Sequence, residues 1–230
     1  MKSRRLPQGS ECQTNIKQSM KKIMFNNKYG LTQAVLAKRK TQTRRIIPSA
    51  DPYNRRYEGT LKVRNKLGQI GLLALFSDVR IFPAYYIGEE VAISQSYRSI
   101  LEKSNVYPNA NELKELPGYR NKMFVRAEDM PHHIRITKIR IERLQDISDE
   151  DCLQEGICRS DIKNTLWGVA PIRGEGKSGT TYEHSVLGYG PWHLFPSVKR
   201  AYASLINRIS GKGTWESNPY VFVYDFRLID

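Results

Sequence analysis

Tyr220-Val221-Phe222-Val223-Tyr224-Asp225-Phe226-Arg227-Leu228-Ile229 runs up to the residue before the last of the 230-residue chain. Aromatic and β-branched side chains dominate it, which suits a pleated strand, and Tyr220 to Val223 are read as core. A second stretch, Ile134-Arg135-Ile136-Thr137-Lys138-Ile139-Arg140-Ile141, alternates apolar and polar residues but slips phase once. That pattern predicts a half-buried strand with a bulge at Thr137–Lys138.

Working outward, Lys22–Phe25 reads as a first strand. Leu31, Ala34 and Val35 follow a helical rhythm, with Thr32 as the expected N-cap. Pro48 must end whatever follows. Residues 49–70 read as a loop or hairpin excursion, and apolar runs at 70–80 and 81–86 as strands. Ile87-Gly88-Glu89-Glu90 is a turn signal before a strand over Val91–Tyr97. Residues 101–120 suggest an inserted loop with one helix. Ser148 is placed to cap a short helix that Gly156 ends. A glycine-rich insertion occupies 168–190, and Ser197–Ile209 is amphipathic at helical spacing. Strands dominate without regular helix alternation, so the expected class is α+β: a small barrel with flanking helices and inserted loops, not a doubly wound sheet. The expected organisation is a basic arm over 1–21 and one enlarged domain over 22–230, with insertions near 51–84, 100–120 and 168–190.

Charge narrows the function. Lys and Arg number 37 against 23 acids, a net +14. Residues 1–66 hold 17 of those bases and only Glu11, Asp51 and Glu58 as acids, so the whole excess lies in the first third. A focused positive field attracts polyanions, nucleic acid foremost, although a merely solvated basic face has the same composition. Three cysteines (Cys12, Cys152 and Cys158) without regular spacing do not make a disulfide framework. His132–His133 are adjacent and would point apart in a strand, so no metal is expected. Gly176-Lys177 and Gly211-Lys212 lack the rest of a phosphate loop, and no cofactor is expected. With no apolar signal core and no run near the ~20 residues of a membrane span, the expectation is a cytoplasmic protein without a membrane partner.

Three segments together resemble a known family. They are Leu36-Ala37-Lys38-Arg39-Lys40-Thr41-Gln42-Thr43-Arg44-Arg45, Ile87-Gly88-Glu89-Glu90-Val91-Ala92-Ile93, and Asp149-Glu150-Asp151-Cys152-Leu153-Gln154-Glu155-Gly156. Their order is similar to the leading Lys-Thr element, glycine-turn strand and late Glu-Gly helix of ASCH domains in the PUA-like superfold. The closing Trp215–Tyr224 segment resembles that family's larger, phage-associated branch. The resemblance implies a PUA-like β-barrel whose cleft is lined by the Lys-Thr element and the Glu helix, and a partner that is RNA, a nucleoside or a nucleotide. Small bacterial members hydrolyse N4-acetylcytidine with a Thr-Lys-Glu set, which falls here on Thr43, Lys40 and Glu155.

Elementary chemistry gives those residues two readings. A threonine hydroxyl needs a base to become a nucleophile, and cations around Lys40 favour the neutral amine a base requires. Glu155 then carries a proton to the leaving amine or holds Lys40. In the plainer reading Lys40 and Arg44 bind phosphate, Thr43 caps a turn and Glu155 is an ion-pair partner. Lys40 and Thr43 would fall on opposite faces of an ideal strand, so convergence requires a turn between them. Arg39, Thr41, Arg44 and Arg45 complete the expected ligand-binding set, with Arg44 facing the cleft. Ser94 and Gln95 are candidates to read base edges. Trp192 is a candidate to stack a base, ahead of Tyr97 and Trp215. RNA or nucleotide binding is the leading expectation. Hydrolysis of an acylated nucleoside, RNA cleavage at the same site, and a phage structural or partner-binding role are the alternatives.

Overall fold

In a computed structural model, residues 19–48, 60–66, 68–74, 79–102, 110–159, 167–169 and 195–230 are described. The strands are β1 (Lys21–Ile23), β2 (Gln42–Ile46), β3 (Thr60–Arg64), β4 (Ile70–Ala74), β5 (Val79–Ile81), β6 (Glu90–Ile93), β7 (His133–Arg143), β8 (Ile157–Arg159), β9 (Trp167–Val169) and β10 (Tyr220–Leu228). The helices are α1 (Leu31–Leu36), α2 (Tyr97–Leu101), α3 (Ala110–Glu115), α4 (Asp149–Gln154), α5 (Val198–Ser210) and α6 (Thr214–Ser217). The architecture is α+β. Five strands form one mixed sheet in the order β1-β6-β7-β10-β2, beside a β3-β4-β5 meander and a β8-β9 pair.

The closing run becomes the sheet's centre. β10 pairs antiparallel with β7 on one side and β2 on the other. Val221 to Tyr224 are consecutively buried, because both faces of this strand are covered. The phase slip in β7 is a bulge: Asp225 pairs with Lys138 and Phe226 with Ile136, leaving Thr137 unpaired. On β2 the alternation puts Thr43 and Arg45 on one face and Arg44 on the other. Helix α5 buries Val198, Ala201, Tyr202, Leu205 and Ile206, one stripe at the predicted spacing, and the Ser197 hydroxyl caps it.

Three local expectations are corrected. Thr32 is not the cap of α1. Gly30 holds that position in the left-handed region, and the Thr32 hydroxyl instead donates to the Phe25 carbonyl (3.3 Å) and to Asn27. The strand expected over Val91–Tyr97 stops at Ile93, because the Ser96 side chain accepts from the Ser99 N–H and starts α2, burying Tyr97. The run at 81–86 contributes only Ile81 to a strand, whereas β3 and the start of β4 form a hairpin within the 49–70 excursion as expected. Among the described residues β1 and β2 are the free edges of the main sheet. The segment just past β1 nevertheless approaches β2 and β10, forming a seam. Arg45 of β2 donates to the carbonyl of Met24, just past β1, at 2.6 Å, and Phe25 packs on Phe226 with ring centroids 5.6 Å apart.

Candidate functional site

A cavity of about 600 Å³ lies along that seam. Its walls come from four places: Met24–Asn27 after β1, Lys40 and Thr43–Ile46 at β2, Glu155 after α4, and the α5 side chains from Tyr202 to Ser210. Asn121, Lys122 and Met123 close one side.

Two helix ends aim the central pair. Helix α1 stops in a Schellman arrangement, with Lys38 N–H donating to the Val35 carbonyl (2.8 Å) and Arg39 N–H to Ala34 (2.9 Å). Lys38 carries the left-handed conformation, φ 58°, that glycine would adopt more easily. The Lys40 N–H also reaches the Ala34 carbonyl at 2.9 Å, and Lys40 lines the same cavity as Thr43. Opposite it, the Ser148 hydroxyl caps α4 and Gly156, at φ 101°, ends it. The Thr41 N–H donates to the Gln154 carbonyl at 2.9 Å, clamping the two segments together.

Lys40 and Glu155 are 2% and 5% exposed. The Lys40 ammonium donates to the Glu155 carboxylate and, at 3.1 Å, to the Glu155 main-chain carbonyl. Burial lowers the Lys40 pKa below the ordinary lysine value; Glu155 opposes this, while Arg45 and Arg44 add to it. Thr43 is 6% exposed and lines the cavity, and its hydroxyl makes no hydrogen bond among the described residues.

Arg44 faces away from Thr43 and is enclosed by acids. Its guanidinium reaches Glu142 at 2.5 Å, Asp151 at 2.7 Å and Glu155 at 3.3 Å, and it also donates to Gln42. Burial works against its charge, but Glu155, Glu142 and Asp151 outweigh that, and its pKa is raised. Arg140 extends the network to Asp151 (2.6 Å), Asp225 (2.8 Å) and Glu142 (3.0 Å). Gln42 crosses it, donating to Asp225 at 2.6 Å and to Asp151 and Gln154 at 3.1 Å. This assembly orients Glu155 and leaves the Arg44 charge already matched.

The remaining predicted residues divide. Arg45 is exposed and lines the cavity. Thr41 is half-buried; its main chain ties β10 to α4, its carbonyl accepting from Phe226 N–H at 2.9 Å. Arg39 is half-buried, with one guanidinium nitrogen buried and unpartnered. Ser94 and Gln95, 0% and 4% exposed, are not among the residues lining this cavity, and each keeps a buried polar atom without a partner. Trp192 lies outside the described residues. Tyr97 is buried in a second apolar cluster with its hydroxyl donating to Asp129, and Trp215 packs edge-on against Tyr202.

Sequence reasoning missed Lys122 and Tyr202. Tyr202 was legible as a core position of α5, but nothing in its spacing marks a hydroxyl left unpartnered at the cavity wall. Burial raises the pKa of that hydroxyl well above the ordinary tyrosine value. Cys152, buried beside the network, has its thiol pushed up to about 12 by burial, which makes it unreactive. Among the described residues no group of three His, Cys, Asp or Glu side chains is placed to hold a metal ion, and no helix is long and apolar enough to cross a membrane.

The fold and site define an α+β domain with a polar-floored cavity at the edge of its main sheet. No protein-family model, curated protein or solved structure matches the chain.

Proposed function

We propose that this chain is an ASCH-type, PUA-like protein of the cytoplasm that binds RNA or a nucleotide in the cavity between β2, α4 and α5. The carrying observation is the meeting of Lys40, Thr43 and Glu155, 115 residues apart at the extremes, on one hollow. The kinship is supported by the same three residues, because two separate motifs had to fold together to make it. The barrel reading is supported by the approach of the segment past β1 to β2 and β10, through Arg45–Met24 and Phe25–Phe226. Apolar walls from Phe25, Leu205 and Ile206 suit a base, and a cavity of this size suits a nucleotide-sized ligand. The test is titration with a fluorescent single-stranded oligoribonucleotide at rising salt. Affinity is expected to fall steeply, with a log–log slope of several units. Equal affinity at low and high salt, or no binding at all, would count against the reading.

A second reading is favoured by one observation: a Thr43 hydroxyl without a hydrogen bond among the described residues lines a cavity that also holds a buried lysine of lowered pKa. In its neutral form Lys40 accepts the Thr43 proton as the oxygen attacks the acyl carbon of an N4-acylated cytidine. The carbon–nitrogen bond breaks, the cytosine amine receives a proton relayed through Glu155, and the acyl group rests on Thr43 as an ester. Water then hydrolyses the ester, releasing the carboxylic acid and restoring the hydroxyl. Incubation with N4-acetylcytidine should yield cytidine by chromatography, and Thr43→Val should abolish it. No cytidine from the unaltered protein removes hydrolysis and leaves binding.

A further inference from the structure

The cations of the cavity divide into two kinds. On the floor, Lys40 is matched by Glu155, and Arg44 by Glu142, Asp151 and Glu155. At the mouth, Arg45 and Lys122 meet no carboxylate among the described residues. Arg45 donates to the Met24 carbonyl at 2.6 Å. Lys122 donates to the carbonyl of Phe25 and, at 2.9 Å, to the side chain of Asn27. Both cations thus line the same cavity, each fastened to the Met24–Phe25 main chain. Burial, followed by the Arg45 charge, lowers the Lys122 pKa to about 8.

Each is left with neutral acceptors only, and the described residues supply no anion to match either charge. Loop fastening alone does not require charge, since a neutral donor would serve the same carbonyls. A second observation points inward. Tyr202, 2% exposed, lines the same cavity with a hydroxyl that lacks any hydrogen-bond partner. A buried polar atom left unsatisfied costs about 1–3 kcal/mol, and a ligand group is a natural partner for it.

We infer that Arg45 and Lys122 form a phosphate subsite at the mouth of the Lys40 cavity, so that the ligand enters with its base toward Tyr202 and a phosphate held between the two cations. This rests on the nucleotide-binding reading and narrows it, because it favours a phosphorylated ligand over a bare nucleoside. A phosphate monoester carries about −1.5 to −2 charge at neutral pH with three strong acceptor oxygens, enough to serve both cations. Lys122 belongs to none of the motifs that suggested the site.

Calorimetric titration of the full chain with cytidine, cytidine 5′-monophosphate and the dinucleotide CpC tests it. Adenosine and its 5′-monophosphate check base tolerance. The monophosphate is expected to bind about tenfold or more tightly than the nucleoside, the scale of one or two charge-assisted hydrogen bonds. In Arg45→Gln/Lys122→Gln that ratio should fall to about one. Glutamine keeps a donor for the Phe25 carbonyl, and circular dichroism verifies the fold. If the double variant does not fold, Arg45→Gln alone, at an exposed position, should still reduce the ratio severalfold. CpC binding that rivals the monophosphate, and falls with it in the variant, supports the subsite with an RNA strand as the phosphate source. Weak CpC binding supports it with a free nucleotide. Equal affinity for nucleoside and monophosphate, or a preference that survives the double variant, overturns the subsite and leaves the cavity reading standing. Absence of binding by nucleoside, monophosphate and oligoribonucleotide alike overturns both.

Discussion

Glu155→Gln removes the carboxylate on which the Lys40 charge depends. Arg44 would lose only its 3.3 Å contact while keeping Glu142 at 2.5 Å and Asp151 at 2.7 Å, so the damage concentrates on Lys40. The lysine, 2% exposed, would retain the main-chain carbonyl at 3.1 Å and no countercharge. Breaking a buried pair from one side typically costs about 3–5 kcal/mol. The lysine can escape part of that by losing its proton. From the reference value of 10.5, deprotonation at pH 7 costs about 1.4 kcal/mol per unit, or roughly 5 kcal/mol, which sets a ceiling on the penalty. With Lys40 neutral in the folded variant and charged in the unfolded chain, the unfolded state binds the extra proton, so stability must rise with pH up to about 10.5. Urea unfolding at pH 7 and pH 9 reads both effects. The expected result is a deficit of several kcal/mol at pH 7 that narrows at pH 9, with Lys40→Met/Glu155→Leu recovering much of it. A deficit below about 1 kcal/mol that does not change with pH would refute the buried-pair reasoning.

Three smaller predictions share its logic. Lys38→Gly should stabilise the protein by about 0.5–1 kcal/mol in thermal or urea unfolding, because glycine relieves the left-handed φ of 58° at the end of α1 and gives back part of that gain in chain entropy. Gly156→Ala should cost about 1–3 kcal/mol although the space is adequate, since an added Cβ would sit 3.6 Å from the Ala34 and Lys40 Cβ atoms; the strain lies in φ 101°. Affinity for a 5′-monophosphate should weaken as pH rises through about 8, where Lys122 sheds its charge beside the permanently charged Arg45, and the transition should disappear in Lys122→Gln. A pH-independent affinity over that range would show that Lys122 carries no part of the binding.

The sheet was readable wherever one side chain in two had to be apolar. The slip between Ile136 and Ile139 announced the bulge at Thr137, and Ser148 and Gly156 announced both ends of α4. Thr32 and Ser96 misled for a shared reason: each hydroxyl has several local acceptors or donors, and tertiary context decides which it serves. That Lys40, Thr43 and Glu155 share one hollow was legible because short motifs carried them. The acid enclosure of Arg44 was not, since Glu142 and Asp151 lie 98 and 107 residues away and no local pattern encodes their approach. Lys122 was hidden for a like reason: it lies 97 residues from Phe25, whose carbonyl it meets at the cavity.

A crystal structure of the protein with cytidine 5′-monophosphate tests the central claim most directly. The account predicts the nucleotide in the seam cavity, within hydrogen-bonding reach of the Thr43 hydroxyl, its phosphate between Arg45 and Lys122. A nucleotide bound elsewhere with that cavity empty, for example against Tyr86 and Ile87 beside the meander, would contradict it.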